Sequence, residues 1–140
     1  MERAAVLEPP VIELLGALHR VETRLEAALE PLGLSLAKLG LLDNLVEAGA
    51  PVPLGTLADM CACVRSNITQ LLDRLEAAGL VARVEDPSDR RLKRAVLTGA
   101  GRERHTEGVR ALDQVERELF APLSAERRAQ LFELLRSLRA

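Results

Sequence analysis

The chain has 140 residues, 48% of them hydrophobic, and 19 Lys and Arg stand against 21 Asp and Glu. That length fits one domain, or one domain with an extension for self-association, and the apolar content is ample for a core. Two Phe and no Trp or Tyr leave the core to Leu, Val and Ala, and argue against single-strand nucleic-acid binding by aromatic stacking.

In chain order, Glu8-Pro9-Pro10 opens a long helix whose apolar positions Val11, Leu14, Leu15, Leu18, Val21, Leu25, Leu29 and Leu32 keep helical spacing until Gly33. Ser35 is an N-cap for a second helix, Leu36 to Ala48, stopped by Gly49-Ala50-Pro51. Val52 and Pro53 lead into a short helix, Leu54 to Met60.

The next helix repeats apolar residues at Ile68, Leu71, Leu72 and Leu75, one face that goes into a core. Ser66, Thr69, Gln70, Asp73 and Ala77 project to the other side, flanked by Arg65, Asn67 and Arg74. Short side chains let a backbone approach a groove, while amides, hydroxyls and guanidinium groups supply donors for base edges and phosphates. The plainer reading is a solvated helix face. Ala77-Ala78-Gly79 stops the helix, and Leu80 to Val84 alternates like a half-buried strand. Glu85-Asp86-Pro87-Ser88-Asp89 is rich in turn formers, and Leu92 to Leu97 returns as a second strand. Arg90, Arg91, Lys93 and Arg94 crowd at the hairpin tip beside Asp86 and Asp89, a charge pattern suited to phosphate rails and a narrow minor groove. An edge hairpin protected from aggregation by charge is the structural alternative. Thr98 caps a helix from about Ala100 to Phe120, and Ser124 caps another from Ala125 to Leu138.

This order of reading helix, Gly-Leu-Val strand, Asp-Pro-Ser-Asp-Arg-Arg tip and Ala-Val-Leu-Thr-Gly-Ala-Gly resembles a winged helix-turn-helix regulator of the MarR (multiple antibiotic resistance regulator) family, most closely from Leu54 to Gly101. The resemblance implies a mainly α fold with a small β-wing over residues 1–140. Within it, 35–98 would form the winged DNA-binding lobe, and 9–33 with 99–140 the dimerisation helices. It implies a homodimer in which Arg65 to Arg74 occupies the major groove, Arg91 enters the minor groove and Asp89 orients the wing. It further implies a small-molecule effector, often phenolic in the family, held between the dimer helices and the DNA lobe.

The residues support a dimer on their own terms. Val109, Leu112, Val115 and Leu119, with Leu131, Leu134, Leu135 and Leu138, form apolar stripes larger than a small winged lobe can cover. Two subunits paired through their terminal helices would bury them about a two-fold axis. The reading helices would then stand roughly 34 Å apart, one turn of DNA, which predicts a pseudo-palindromic operator. Charge is distributed accordingly: residues 1–63 carry 4 Lys/Arg against 9 Asp/Glu, residues 64–94 carry 7 against 5, and residues 95–140 carry 8 against 7. Local field rather than total charge decides phosphate attraction.

Cys61 and Cys63 fall where the helix-turn-helix corner needs apolar side chains, and buried Cys behaves as a small hydrophobe. Redox sensing is the sharper reading, since oxidation would place polarity beside the reading helix. His19, Glu22 and Glu26 share a helix face that could take a metal if His105 or a carboxylate joined it, but they read first as a solvated flank, and no metal or other cofactor is expected. No Gly-x-Ser-x-Gly, phosphate-cradling glycine loop or His-Glu-x-x-His is present, so nothing assembles an enzyme. With no long apolar run and no basic-then-apolar start in Met1-Glu2-Arg3-Ala4-Ala5, a cytoplasmic location without membrane contact is expected. Residues and resemblance together lead to the expectation of a dimeric, sequence-specific double-stranded DNA-binding repressor, and the resemblance alone adds its tuning by a small molecule. A redox-sensing regulator and a winged protein-interaction module are the competing readings.

Overall fold

The computed structural model describes residues 9–61 and 68–139. Helix α1 spans Pro10–Leu29, with proline in its first turn where an N–H is not needed, and runs into a 3-10 turn, Glu30–Leu32. Gly33 takes φ 68° and closes it. Helix α2, Leu36–Ala48, starts where the Ser35 side chain accepts from the Lys38 amide, and stops at Gly49 with φ 65°. Strand β1 is the dipeptide Val52–Pro53, followed by α3, Leu54–Met60, and by α4, described over Ile68–Ala77. Strands β2, Val81–Glu85, and β3, Lys93–Leu97, form the wing hairpin. Helices α5, Gly99–Phe120, and α6, Ala125–Ser137, carry side-chain N-caps from Thr98 and Ser124.

The sheet is antiparallel in the order β1-β3-β2, with Val52 opposite Ala95 and Val81 opposite Leu97. The sequence reading took Val52 and Pro53 as a connection. The structure makes them a strand because a two-residue pairing is fixed by the neighbouring β3, not by local propensity. The wing strands also start one residue later than expected. Gly79 donates to the Glu76 carbonyl and Leu80 to the Leu75 carbonyl, a paired closure of α4 that takes up the Leu80 amide and leaves only its carbonyl to accept from Thr98. The expected alternation also lapses at the far end of β2, where Val84 is exposed as the strand leaves the body for the wing.

The core is leucine-built, as composition requires. Leu29, Leu41, Leu42, Leu57, Leu72 and Leu75, with Val81, are almost completely buried. Each fully buried leucine contributes about 1.5–3 kcal/mol. Helix α5 packs against both α1 and α2. Two glycines on α5 permit its close approaches. A Cβ on Gly101 would lie 2.0 Å from the Leu80 carbonyl oxygen, and one on Gly108 would press on the Leu39 and Leu34 methyls. Phe120 and Phe132 meet edge to face at 5.5 Å, tying α6 to the end of α5. No helix among the described residues is long and apolar enough to cross a membrane.

Candidate nucleic-acid interface

Helix α4 buries Leu71, Leu72 and Leu75 and leaves Thr69, Gln70, Asp73 and Arg74 exposed, the division that its apolar spacing predicts. Arg65, Ser66 and Asn67, assigned to the same reading face, lie outside the described residues. So does Cys63.

Beside this face stands the wing, whose charged side chains differ in how far they are committed. Arg91 is 90% exposed, yet its Nε lies 3.2 Å from Asp89 Oδ1 and its backbone amide donates to the same oxygen at 3.0 Å. These bonds from Arg91 hold the Asp89 carboxyl below its ordinary value. Asp89 is therefore placed to orient the Arg91 side chain. Arg90 is exposed and has no partner among the described residues. Lys93 faces Glu85 across the hairpin, Nζ to Oε1 3.8 Å, an exposed pair that holds little energy.

Arg94 differs from its neighbours. Its Nε donates to Asp86 Oδ2 at 2.8 Å, and it is two-thirds covered. The sequence placed Asp86 beside the tip cations without assigning it a partner; in the structure it is a buried carboxylate whose Oδ1 also accepts from the Ser88 amide at 2.8 Å and the Ser88 hydroxyl at 2.6 Å. The Ser88 bonds, with Arg94 behind them, lower the Asp86 carboxyl from 3.8 to about 2. A signal for this was present: Asp-Pro-Ser is the composition of an Asx turn, in which the carboxylate bonds the amide two residues on.

Arg83 on β2 carried no expectation, but it joins the wing to α4. Its Nη2 lies 2.7 Å from Asp73 Oδ1 and 3.4 Å from the Thr69 carbonyl oxygen. The spacing of Thr69, Asp73 and Glu76 along one helical stripe is the sequence signal for such a contact.

Away from this surface, Cys61 is buried in the core, and Asn44 Nδ2 donates to its sulfur at 3.1 Å. Its position agrees with core filling. His105 on α5 has its Nε2 2.8 Å from Asp43 Oδ1 on α2, so that nitrogen is engaged there and not with the His19, Glu22 and Glu26 face. A cavity of about 600 Å³ opens between α1, α2 and the end of α3, lined by Glu22, Glu26, Leu36, Leu41, Asn44 and Met60 among others. Met60, Val84, Leu92 and Val109 are exposed singly, whereas the terminal helices carry groups of exposed apolar side chains: Val11, Ile12, Leu15 and Leu18 on α1, with Leu134 and Leu135 on α6 and Leu138 just beyond it.

Comparison with known proteins agrees with this architecture. The MarR family model matches residues 32–92. The chain is 30% identical to the HTH-type transcriptional regulator PecS of Dickeya dadantii over 135 residues, 92% of this chain and 80% of that protein. It is 46% identical to the HTH-type transcriptional regulator YcgE of Bacillus subtilis over 66 residues, 47% of this chain and 42% of YcgE, so the matched stretch spans less than half the length of that relative. Among solved structures, a mutant MarR of Escherichia coli complexed with operator DNA superposes with a TM-score of 0.75 at 26% identity, covering 94% of this chain and 97% of that one. With a three-stranded sheet that carries the wing, and long terminal helices on either side of the winged lobe, the chain belongs to the MarR family of transcriptional regulators.

Proposed function

We propose that this protein is a homodimeric regulator that binds a specific double-stranded operator, acts as a repressor and releases DNA when a small molecule binds. The observation that carries the reading is the juxtaposition of two surfaces. Thr69, Gln70 and Arg74 stand exposed on α4, and Arg90 and Arg91 project from the wing joined to it. A helix with donors on its free face suits base edges in the major groove, and a cationic hairpin beside it suits the adjacent minor groove. The E. coli relative, a mutant MarR complexed with operator DNA, supports the same use of this fold.

Self-association is supported by apolar side chains that one subunit leaves in water. Leu15 is 55% and Leu134 66% exposed, at opposite ends of the sequence. Pairing of α1, α5 and α6 about a two-fold axis would cover them and set two reading helices about one DNA turn apart. Effector control is supported by the cavity between α1 and α2, whose volume is within the range that takes a drug-sized ligand. A ligand there would act between the terminal helices and the winged lobe, and a few kcal/mol of preference for one arrangement would switch occupancy. Catalysis has no part in this reading.

The test is selection of bound duplexes from a random DNA pool by the purified reduced protein, followed by titration of the winner against salt. An inverted repeat with half-sites about one turn apart and a steep salt slope is expected. Failure to enrich any sequence would turn the winged surface toward a protein partner.

A further inference from the structure

Arg83 lies on β2, opposite Ala95 of β3, with its side chain only 24% exposed. The two carboxylates it reaches are far more open, Asp73 at 59% and Glu76 at 45%. Its Nη2 spans Asp73 Oδ1 at 2.7 Å and the Thr69 carbonyl at 3.4 Å, while its Nε lies 3.8 Å from Glu76 Oε2. That Nε is buried with no hydrogen-bond acceptor, so the guanidinium binds the helix through one nitrogen. Thr69, Asp73 and Glu76 occupy one stripe of α4, at the edge of the face that carries Gln70 and Arg74.

A carboxylate on that face is paradoxical for a helix meant to meet phosphates. Left alone, Asp73 would repel the nucleic-acid backbone at close range, where the interaction is least screened. Arg83 removes the conflict by bringing a cation from the wing to the carboxylate. The same contact ties strand to helix, so the major-groove and minor-groove elements hold a fixed relative orientation. Lysine would serve less well, because its ammonium keeps the charge but sits on a flexible stem without the rigid guanidinium plane that holds Nη2 against Asp73 and the Thr69 carbonyl.

We infer that Arg83 is a positioning residue of the DNA-reading surface, neutralising Asp73 and locking α4 to the wing. The inference rests on the DNA-binding reading above. It distinguishes charge cancellation from simple packing by a reversal: removing Arg83 harms binding because the Asp73 charge is then left uncancelled, so removing Asp73 as well repairs most of the damage.

The experiment measures affinity for the selected operator and for a random duplex, at several salt concentrations, together with thermal melting. Arg83→Gln is expected to weaken operator binding by about tenfold or more, the scale of one lost positioning contact. The double variant Arg83→Gln, Asp73→Asn should regain most of that loss without regaining melting temperature, and Arg83→Lys should fall between wild type and Arg83→Gln. A double variant that binds no better than Arg83→Gln, or an Arg83→Gln protein that binds like wild type, overturns the inference while leaving the functional reading intact. Should Arg83→Gln fail to fold, Asp73→Asn alone decides. Freed of its partner, Arg83 should raise affinity for random DNA and narrow the operator-to-random ratio, and an unchanged ratio overturns the inference. A wild-type protein that enriches no DNA at all removes both readings together.

Discussion

Asp86 and Arg94 meet across the neck of the wing, Oδ2 to Nε 2.8 Å, with the carboxylate buried and the Ser88 amide and hydroxyl bonded to its other oxygen. This arrangement shapes the hairpin tip from within, because the Asp86 amide also donates to the Leu92 carbonyl and the Leu92 amide to the Asp89 carbonyl. The exposed cations Arg90 and Arg91, the latter tethered to Asp89, are carried on that turn.

The pairing predicts an acid-sensitive wing. Asp86 has its carboxyl lowered to about 2, so the stabilisation it contributes is complete above the ordinary carboxylate value of 3.8 and is lost as pH falls toward about 2. Urea unfolding followed from neutral pH to pH about 2 should show wild type losing its advantage over Asp86→Asn across that window. A constant difference at every pH would mean that the carboxylate charge is not what holds the turn.

Arg91 is the most exposed of the wing cations with a defined orientation. Arg91→Ala should weaken operator binding and reduce the salt slope by about 1 if one phosphate contact is lost, less if the contact is to base edges alone. Asp89→Ala should produce a milder loss of the same kind, because the arginine keeps its charge and loses only its tether. Filter-binding or fluorescence titrations over a salt series measure both, and an Arg91→Ala protein with wild-type binding would take the wing out of the mechanism.

Gln70 is exposed on α4 and carries an amide able to pair with adenine. Gln70→Ala should relax preference at one base position by ~1–3 kcal/mol while leaving other positions intact. Binding to a panel of single-base operator variants reads this directly. A uniform loss across the panel would make Gln70 a backbone contact.

Gly101 supports the wing from behind, since an added Cβ would meet the Leu80 carbonyl oxygen at 2.0 Å. Gly101→Ala should destabilise the fold by about 1–3 kcal/mol through forced displacement of α5. Gly99→Ala, where an added Cβ meets nothing within 4 Å, is the control and should unfold near the wild-type midpoint. Equal midpoints for all three proteins would show that α5 can shift without cost.

Leu15 lies more than half exposed on α1. Leu15→Glu should shift the protein toward a monomer in sedimentation equilibrium and weaken operator binding in parallel, because half-site affinities then no longer combine. An unchanged mass would place the subunit contact elsewhere.

What could be read from the sequence follows a physical division. Helix limits were legible because their causes are local: Ser35, Thr98 and Ser124 cap helices with their own side chains, and Gly33, Gly49 and Gly79 end segments by adopting positive φ. The hairpin and the buried face of α4 were legible from periodicity. Strand β1 was not, because its two residues gain their ladder only from β3, forty-odd positions further along. Nor were the Arg94–Asp86 and Arg83–Asp73 pairs, since a cluster of charges in sequence does not say which of them fold back on each other. For that reason Arg94 reads together with the exposed tip cations, and Arg83 only as part of a strand. The cavity between α1 and α2 is likewise a product of packing, formed by residues from three helices that share no motif.

Helix α5 touches the wing base at Gly101, lies over Leu34 and Leu39 at Gly108, and bonds α1 through Arg24 and Glu118 near its far end. With 22 residues and no proline, it is a rigid rod about 33 Å long. A rod behaves as a lever: a tilt of about 5° at one end carries the other through about 3 Å over that length, close to the spacing of one base pair. A tilt about the Phe120 end would thus reach Gly101, where α5 lies against the Leu80 carbonyl at the base of the hairpin, as a shift on the scale of one base pair.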